Sequence, residues 1–275
     1  MTYKQETIDI TGKRTLLVRG GSGEPVLYLH GLLGDIHTVP LDTSLPPFLD
    51  ALAKRFTLFS PAHPGFSQSQ GLEQIGSMED MVFHYLDLLD QLKLEKATIV
   101  GFSFGGWIAA ELAVRYPHRV DKLVLIDALG LRVEGARIGD FFQAVTPRLY
   151  AGRKQVRELL FHDPESELAL SLLPDAMSPD RLLLYFQSQV CPARIGWSPP
   201  YLHSLKLASR LWRIKAPTLV LWGDSDRLAS SKHAEAYHQG ISGSQLVMIE
   251  KGGHNVPLEQ PEKVAKAVMG FLAKK

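Results

Sequence analysis

The chain has 275 residues, 30 basic against 29 acidic for a net charge of +1, with 45% hydrophobic and 21% charged side chains. That length suggests one large domain or a core carrying an insert, and the composition excludes a disordered chain. Balanced charge argues against a phosphate-tracking nucleic-acid binder, and no run of about 18 apolar residues offers a membrane-spanning helix.

Residues 6–10 and 14–18 alternate polar and apolar side chains, which predicts paired strands, and Gly20, Gly21 and Gly23 supply a turn. Residues 25–30 (PVLYLH) read as a short buried strand, 45–54 as a helix, and 57–60 as a strand closed by Pro61 and Pro64. Ser77, with Asp80 three residues on, caps a helix that runs to about Leu92. Residues 97–102 (ATIVGF) form a continuous apolar strand, 105–116 a helix stopped before Pro117, and 120–127 the next strand. Continuous apolar strands between helices indicate a mostly parallel sheet covered on both faces. From about 131 to 210 the alternation stops. Seven of the 17 prolines fall there, separated by short amphipathic runs at 153–161 and 179–189, which predict short helices joined by stiff turns. Strand and helix then resume at 217–222, 231–239, 245–249 and 261–272. The expected organisation is an α/β core made of 1–130 and 211–275, with 131–210 as an insert.

Gly101-Phe-Ser-Phe-Gly105 is a G-x-S-x-G pentapeptide at the junction of a buried strand and a helix. A sharp turn there holds the Ser103 hydroxyl up at the end of the sheet, and the flanking glycines let the turn pass close to its neighbours. A serine hydroxyl is a poor nucleophile at neutral pH, so it needs a base, and the base needs an orienting acid. His254, in Gly252-Gly-His-Asn-Val-Pro257, follows a strand and precedes the last helix, at the carboxyl edge where open α/β sheets place their sites. The acid has two candidates in Trp222-Gly-Asp-Ser-Asp-Arg227. Asp226 is one; Asp224, directly after the strand glycine, is placed to cap the turn with local hydrogen bonds. Of the other histidines, His118 reads as an exposed loop residue, and His162 and His203 as insert residues that could line a cavity but read first as facing solvent. His233 and His238 are spaced by five and share no helix face, and no metal-binding spacing appears.

The order Ser103, Asp226, His254 in three strand-end loops resembles the α/β-hydrolase fold superfamily. The resemblance extends to His30-Gly31 after the third strand, Pro64-Gly-Phe-Ser-Gln-Ser69, Trp222-Gly-Asp-Ser-Asp226 and Gly253-His-Asn-Val-Pro257, and covers nearly the whole chain. It implies a mostly parallel sheet flanked by helices, with a helical cap after the sixth strand at 131–210. It implies Asp226 as the acid, and an oxyanion hole made by the backbone N–H groups of Leu32 and Phe104. Ser60-Pro-Ala-His-Pro-Gly-Phe-Ser67 departs from the family pattern, where many relatives have an acid before the Pro-Gly pair and a glycine at Ser67. A proline often found shortly after the acid is replaced here by Ala229 and Ser230.

The serine at the elbow argues against epoxide opening and dehalogenation, whose relatives carry aspartate there. It favours acyl transfer to water on an ester, thioester or lactone. C–C bond hydrolases of ring-cleavage pathways are the second reading, because they often have methionine where Phe104 stands and tryptophan where Asn255 stands. A small-ligand receptor on the same fold is the reading from another class, separable by turnover. A non-hydrolytic lyase or acyltransferase on the same triad is a further reading, revealed by competing alcohol nucleophiles. Aromatic side chains of the insert, Phe142 and Trp197 among them, are expected to line an apolar substrate pocket. The expected partner is a small apolar ester-like molecule, without cofactor, metal or nucleic acid, acted on by a monomer or homodimer. The single cysteine, Cys191, forms no internal disulfide, and MTYKQETIDI lacks an apolar leader segment, so a reducing cytoplasmic setting fits.

Overall fold

Alternating strands and helices assemble into a layered sheet in the computed structural model, which describes residues 3–33, 45–141, 144, 152–197 and 200–274. The strands are β1 (Lys4–Ile10), β2 (Lys13–Gly20), β3 (Pro25–Leu29), β4 (Thr57–Pro61), β5 (Ala97–Phe102), β6 (Val120–Ile126), β7 (Gly130–Leu131), β8 (His203–Ser204), β9 (Thr218–Gly223) and β10 (Gln245–Ile249). Eight of them form one sheet in the order β1-β2-β4-β3-β5-β6-β9-β10. β2 runs antiparallel to both neighbours, and every other pairing in the sheet is parallel. Every residue of β5 and β9 is buried, the expected state of parallel strands with helices on both faces.

Those helices are α1 (Pro47–Ala53), α2 (Met78–Gln91) and α3 (Phe104–Arg115), then α4 (Gly152–Leu160), α5 (Glu167–Leu172) and α6 (Pro179–Gly196), then α7 (Ser231–Gly240), α8 (Val256–Glu259) and α9 (Pro261–Leu272). One face of the sheet packs on Met81, Val82 and Tyr85 of α2 and Ile108 and Leu112 of α3. The other packs on Phe48 and Leu52 of α1 and Val264 and Val268 of α9. Ser77 caps α2 as its sequence predicts: the Asp80 N–H donates to Ser77 Oγ at 3.2 Å, and the hydroxyl donates back to Asp80 Oδ2 at 2.8 Å.

The segment between β6 and β9 carries α4, α5 and α6. The short pair β7–β8, with Gly130 opposite His203 and Leu131 opposite Ser204, brings its two ends together. That pair has no periodic signature in two-residue strands. α6 runs past the expected stop at 189 and continues through Pro192. The proline gives up one helical hydrogen bond, yet the Trp197 N–H still donates to Ala193 O at 3.0 Å.

Candidate active site

The β5–α3 junction sets the first group. Ser103 has φ 53° and ψ −115°, a conformation costly for a residue with a side chain. The turn is tied on both sides: the Ser103 N–H donates to Ile126 O at 2.8 Å, and Ser103 O accepts from the N–H groups of Trp107 and Leu129, each at 3.1 Å. A Cβ at Gly105 would meet Leu29 O at 2.1 Å, and one at Gly101 would meet Gly105 O at 2.5 Å. Neither position admits a side chain, so the glycines allow α3 to start against β3. The strain at Ser103 holds its hydroxyl over the sheet edge.

Two further loops reach the same point. Ser103 Oγ lies 2.7 Å from His254 Nε2, and His254 Nδ1 lies 2.8 Å from Asp226 Oδ2. Asp226 Oδ1 accepts the N–H groups of Leu228 at 2.8 Å and Ala229 at 2.9 Å, which fixes the carboxylate. All three side chains are buried. Asp226 accepts only when ionised, so His254 donates from Nδ1, and Nε2 is left to accept the serine proton. Asp224 goes elsewhere. It is exposed, and its Oδ1 takes bonds from Ser225 Oγ at 2.8 Å and the Lys251 N–H at 3.0 Å.

Beside Ser103, the N–H groups of Leu32 and Phe104 have no acceptor among the described residues. The Leu32 loop is braced by a histidine pair whose rings stack 3.7 Å apart. The His63 N–H donates to His30 Nε2 at 3.0 Å, so His30 carries its proton on Nδ1 and donates it to Gly31 O at 2.9 Å. His63 Nε2 donates to His30 O at 2.9 Å, which also accepts the Gly105 N–H at 3.0 Å. His63 Nδ1 therefore accepts from the Tyr85 hydroxyl. Burial, together with the neighbouring His30, holds the His63 imidazole well below the usual range and keeps it neutral.

Several residues here escape sequence reasoning. Glu259 accepts the Gly253 N–H at 2.8 Å and the His162 N–H at 2.7 Å, joining the His254 loop to the end of α4. Burial raises its carboxyl above the ordinary range. His162 is half-buried rather than free in solvent, because Nδ1 pairs with Ser225 Oγ at 2.8 Å. Leu160 O accepts the Asn255 N–H at 2.8 Å, and the Arg227 guanidinium donates to the carbonyls of Glu158, Phe161 and His162. A carboxyl at the end of β6, Asp127, is the one whose signal was available, since strand ends of a parallel sheet collect functional groups. Trp197 stands half exposed at the end of α6, and Phe142 lies outside the described residues. Among the described residues, no group of three His, Cys, Asp or Glu is arranged to hold a metal ion, and no helix is long and apolar enough to cross a membrane.

The family model described as the alpha/beta hydrolase fold matches residues 24–261. The chain belongs to the α/β-hydrolase fold family. Within that family it is similar to the 2-hydroxymuconate semialdehyde hydrolase of Pseudomonas putida, 29% identical over 272 residues that span 95% of this chain and 92% of the relative. Among solved structures it is similar to the meta-cleavage product hydrolase from Pseudomonas fluorescens IP01, with a TM-score of 0.77 at 25% identity, covering 97% of each chain. The naproxen esterase of Bacillus subtilis shares the fold, with a TM-score of 0.75 at 20% identity, over 98% of this chain and 92% of that one. These α/β-hydrolase relatives support a hydrolase activity.

Proposed function

We propose that the protein is a serine hydrolase that cleaves a carboxylic ester of a small apolar molecule through an acyl-enzyme on Ser103. The observation that carries this reading is the unbroken hydrogen-bonded chain from Ser103 Oγ through His254 to Asp226 Oδ2. In the reaction, His254 Nε2 takes the hydroxyl proton as Ser103 Oγ attacks the carbonyl carbon. Asp226 holds the imidazole tautomer and balances the imidazolium charge. The oxyanion of the tetrahedral intermediate takes the N–H groups of Leu32 and Phe104, each such donor contributing about 3 kcal/mol to the transition state. The imidazolium then protonates the leaving group, and water, activated by the same histidine, releases the acid.

The division into a core of 1–130 and 211–275 and a helical cap of 131–210 belongs to the same proposal. The cap would exclude water and shape the pocket, with Phe142 and Trp197 as the aromatic positions offered to the acyl or leaving group. Support for it comes from the β7–β8 clasp at the base of the segment and from its place between β6 and β9, whose carboxyl ends flank the site.

Hydrolysis of a C–C bond in a ring-cleavage product is the second reading. It is favoured by the names of full-length relatives such as 2-hydroxymuconate semialdehyde hydrolase and 2-hydroxy-6-oxo-2,4-heptadienoate hydrolase. A panel of p-nitrophenyl esters, lactones and ring-cleavage dienones, run beside Ser103→Ala, separates the two. Esters turn over fastest if the first reading holds, and dienones if the second does. A fluorophosphonate probe labels Ser103, and Ser103→Ala loses about 10⁶-fold in kcat. Labelling at another residue, or full activity in Ser103→Ala, overturns both readings.

A further inference from the structure

At the end of β6 the chain enters a left-handed turn at Asp127, with φ 43°, a conformation that aspartate tolerates better than most residues. The side chain is wholly buried. Its Oδ1 accepts the Gly223 N–H at 2.8 Å, at the end of β9. Its Oδ2 finds no partner among the described residues when both carboxyls are counted as acceptors. The group beside it is the Asp226 carboxyl.

Two carboxylates side by side in a water-excluded site cannot both carry charge, so one holds a proton. The donors around them decide which. Asp226 receives three: the N–H groups of Leu228 and Ala229 and His254 Nδ1. Asp127 receives one. Negative charge therefore settles on Asp226, and the proton on Asp127. That assignment also gives the orphaned Oδ2 a bond, because a protonated Oδ2 is a donor facing an acceptor.

We propose that Asp127 is a positioning residue for the triad: a neutral carboxylic acid whose Oδ2–H hydrogen-bonds the Asp226 carboxylate and holds it against His254. Burial first, and the Asp226 charge second, push the Asp127 carboxyl well above the usual carboxylate range; Glu259 adds in the same direction and the Gly223 N–H opposes. The other titratable groups facing the pair are His254, bonded to Asp226, and His233, which feels the Asp226 charge. The inference rests on the reading of Ser103, His254 and Asp226 as a catalytic triad.

The test compares the full-length protein with Asp127→Asn and Asp127→Leu. Infrared difference spectra at neutral pH show the C=O stretch of a buried protonated carboxylic acid in the parent and in Ser103→Ala, and lose it in Asp127→Asn. Asp127→Asn keeps an acceptor for the Gly223 N–H and a donor for Asp226. It retains kcat/KM within about threefold, with the acid limb of its pH profile in place. Asp127→Leu loses the donor, and kcat falls about tenfold or more with KM little changed. Persistence of the band in Asp127→Asn overturns the proposal, as does its absence from the parent. So does an acid limb moved down by about one unit in Asp127→Asn, the result expected if a negative charge beside His254 had been removed. The Asn variant decides the matter even where Asp127→Leu does not fold. Turnover that survives in Ser103→Ala would sink the triad reading, while the infrared assignment would still stand or fall by itself.

Discussion

Replacing Asp226 by asparagine tests the orienting role at nearly constant shape. Asp226 has two faces: Oδ1 takes two backbone N–H groups, from Leu228 at 2.8 Å and Ala229 at 2.9 Å, and Oδ2 takes His254 Nδ1 at 2.8 Å. An asparagine keeps the two backbone bonds only by leaving its oxygen where Oδ1 was, which turns its NH₂ toward His254. The imidazole must then accept at Nδ1, so its proton moves to Nε2, the atom that should receive the proton of Ser103. The flipped amide would bring NH₂ against two N–H donors, at about 1–3 kcal/mol for each unpaired group, so the wrong tautomer is the favoured outcome. The expected loss is about 10⁴-fold in kcat, equivalent to about 5 kcal/mol of transition-state stabilisation, with KM and melting temperature near the parent values. Steady-state hydrolysis of a p-nitrophenyl ester, with circular dichroism as the fold control, measures it. A loss below about tenfold in Asp226→Asn would refute the reasoning, and a larger loss in Asp224→Asn would assign the acid to the wrong residue.

Three other outcomes are expected. Cys191 is wholly buried and its thiol is pushed up to about 12 by burial, so iodoacetamide leaves activity intact and labels the chain only after denaturation. Burial holds the His84 imidazole down to about 4 against an ordinary 6.5. The unfolded chain takes up that proton first, so stability is full above about pH 6.5 and falls as pH drops toward about 4, by up to about 3 kcal/mol; urea midpoints at pH 7 and 5 show a smaller decline in His84→Gln. Glu259→Ala strands the part-buried N–H groups of Gly253 and His162, so the melting temperature and kcat both fall, at about 1 kcal/mol for each donor, read by thermal unfolding and ester hydrolysis.

The sheet and its covering helices were legible because β5 and β9 are unbroken apolar runs and Ser77 and Pro117 punctuate the helices around them. The elbow was legible because a serine between glycines at a strand end has a geometric reason to be there. Composition could not reveal the β7–β8 pair, where two residues leave no period to detect. It could not reveal His63 or Glu259 either, since their roles come from backbone groups that folding alone brings near. The half-burial of His162 is illegible for the same reason: its partners, Ser225 and the Glu259 carboxylate, lie 63 and 97 residues away. Asp127 sits at a legible position, but its neighbour Asp226 comes from a different strand.

The bonds between the end of α4 and the loops of Asp226 and His254 bear on any attempt to exchange the segment after β6 with that of a relative. On the segment's side these bonds all use main-chain groups of residues 158–162, so a chimera that replaced 131–210 whole would keep the Asn255–Leu160 and Glu259–His162 bonds and the three carbonyl contacts of Arg227 only if its backbone followed the same path there. A graft starting after Asp163 and ending before the clasp at His203 leaves all of these in place. It exchanges α5 and α6, whose Leu183, Phe186 and Val190 face outward. The incoming chain must also bring acceptors for the buried Arg157 of α4, whose guanidinium donates to Pro164 O at 2.9 Å and to Leu173 O and Asp175 Oδ1 at 2.8 Å; with those supplied, the seam for exchanging the segment runs on the far side of α4 and not along its base.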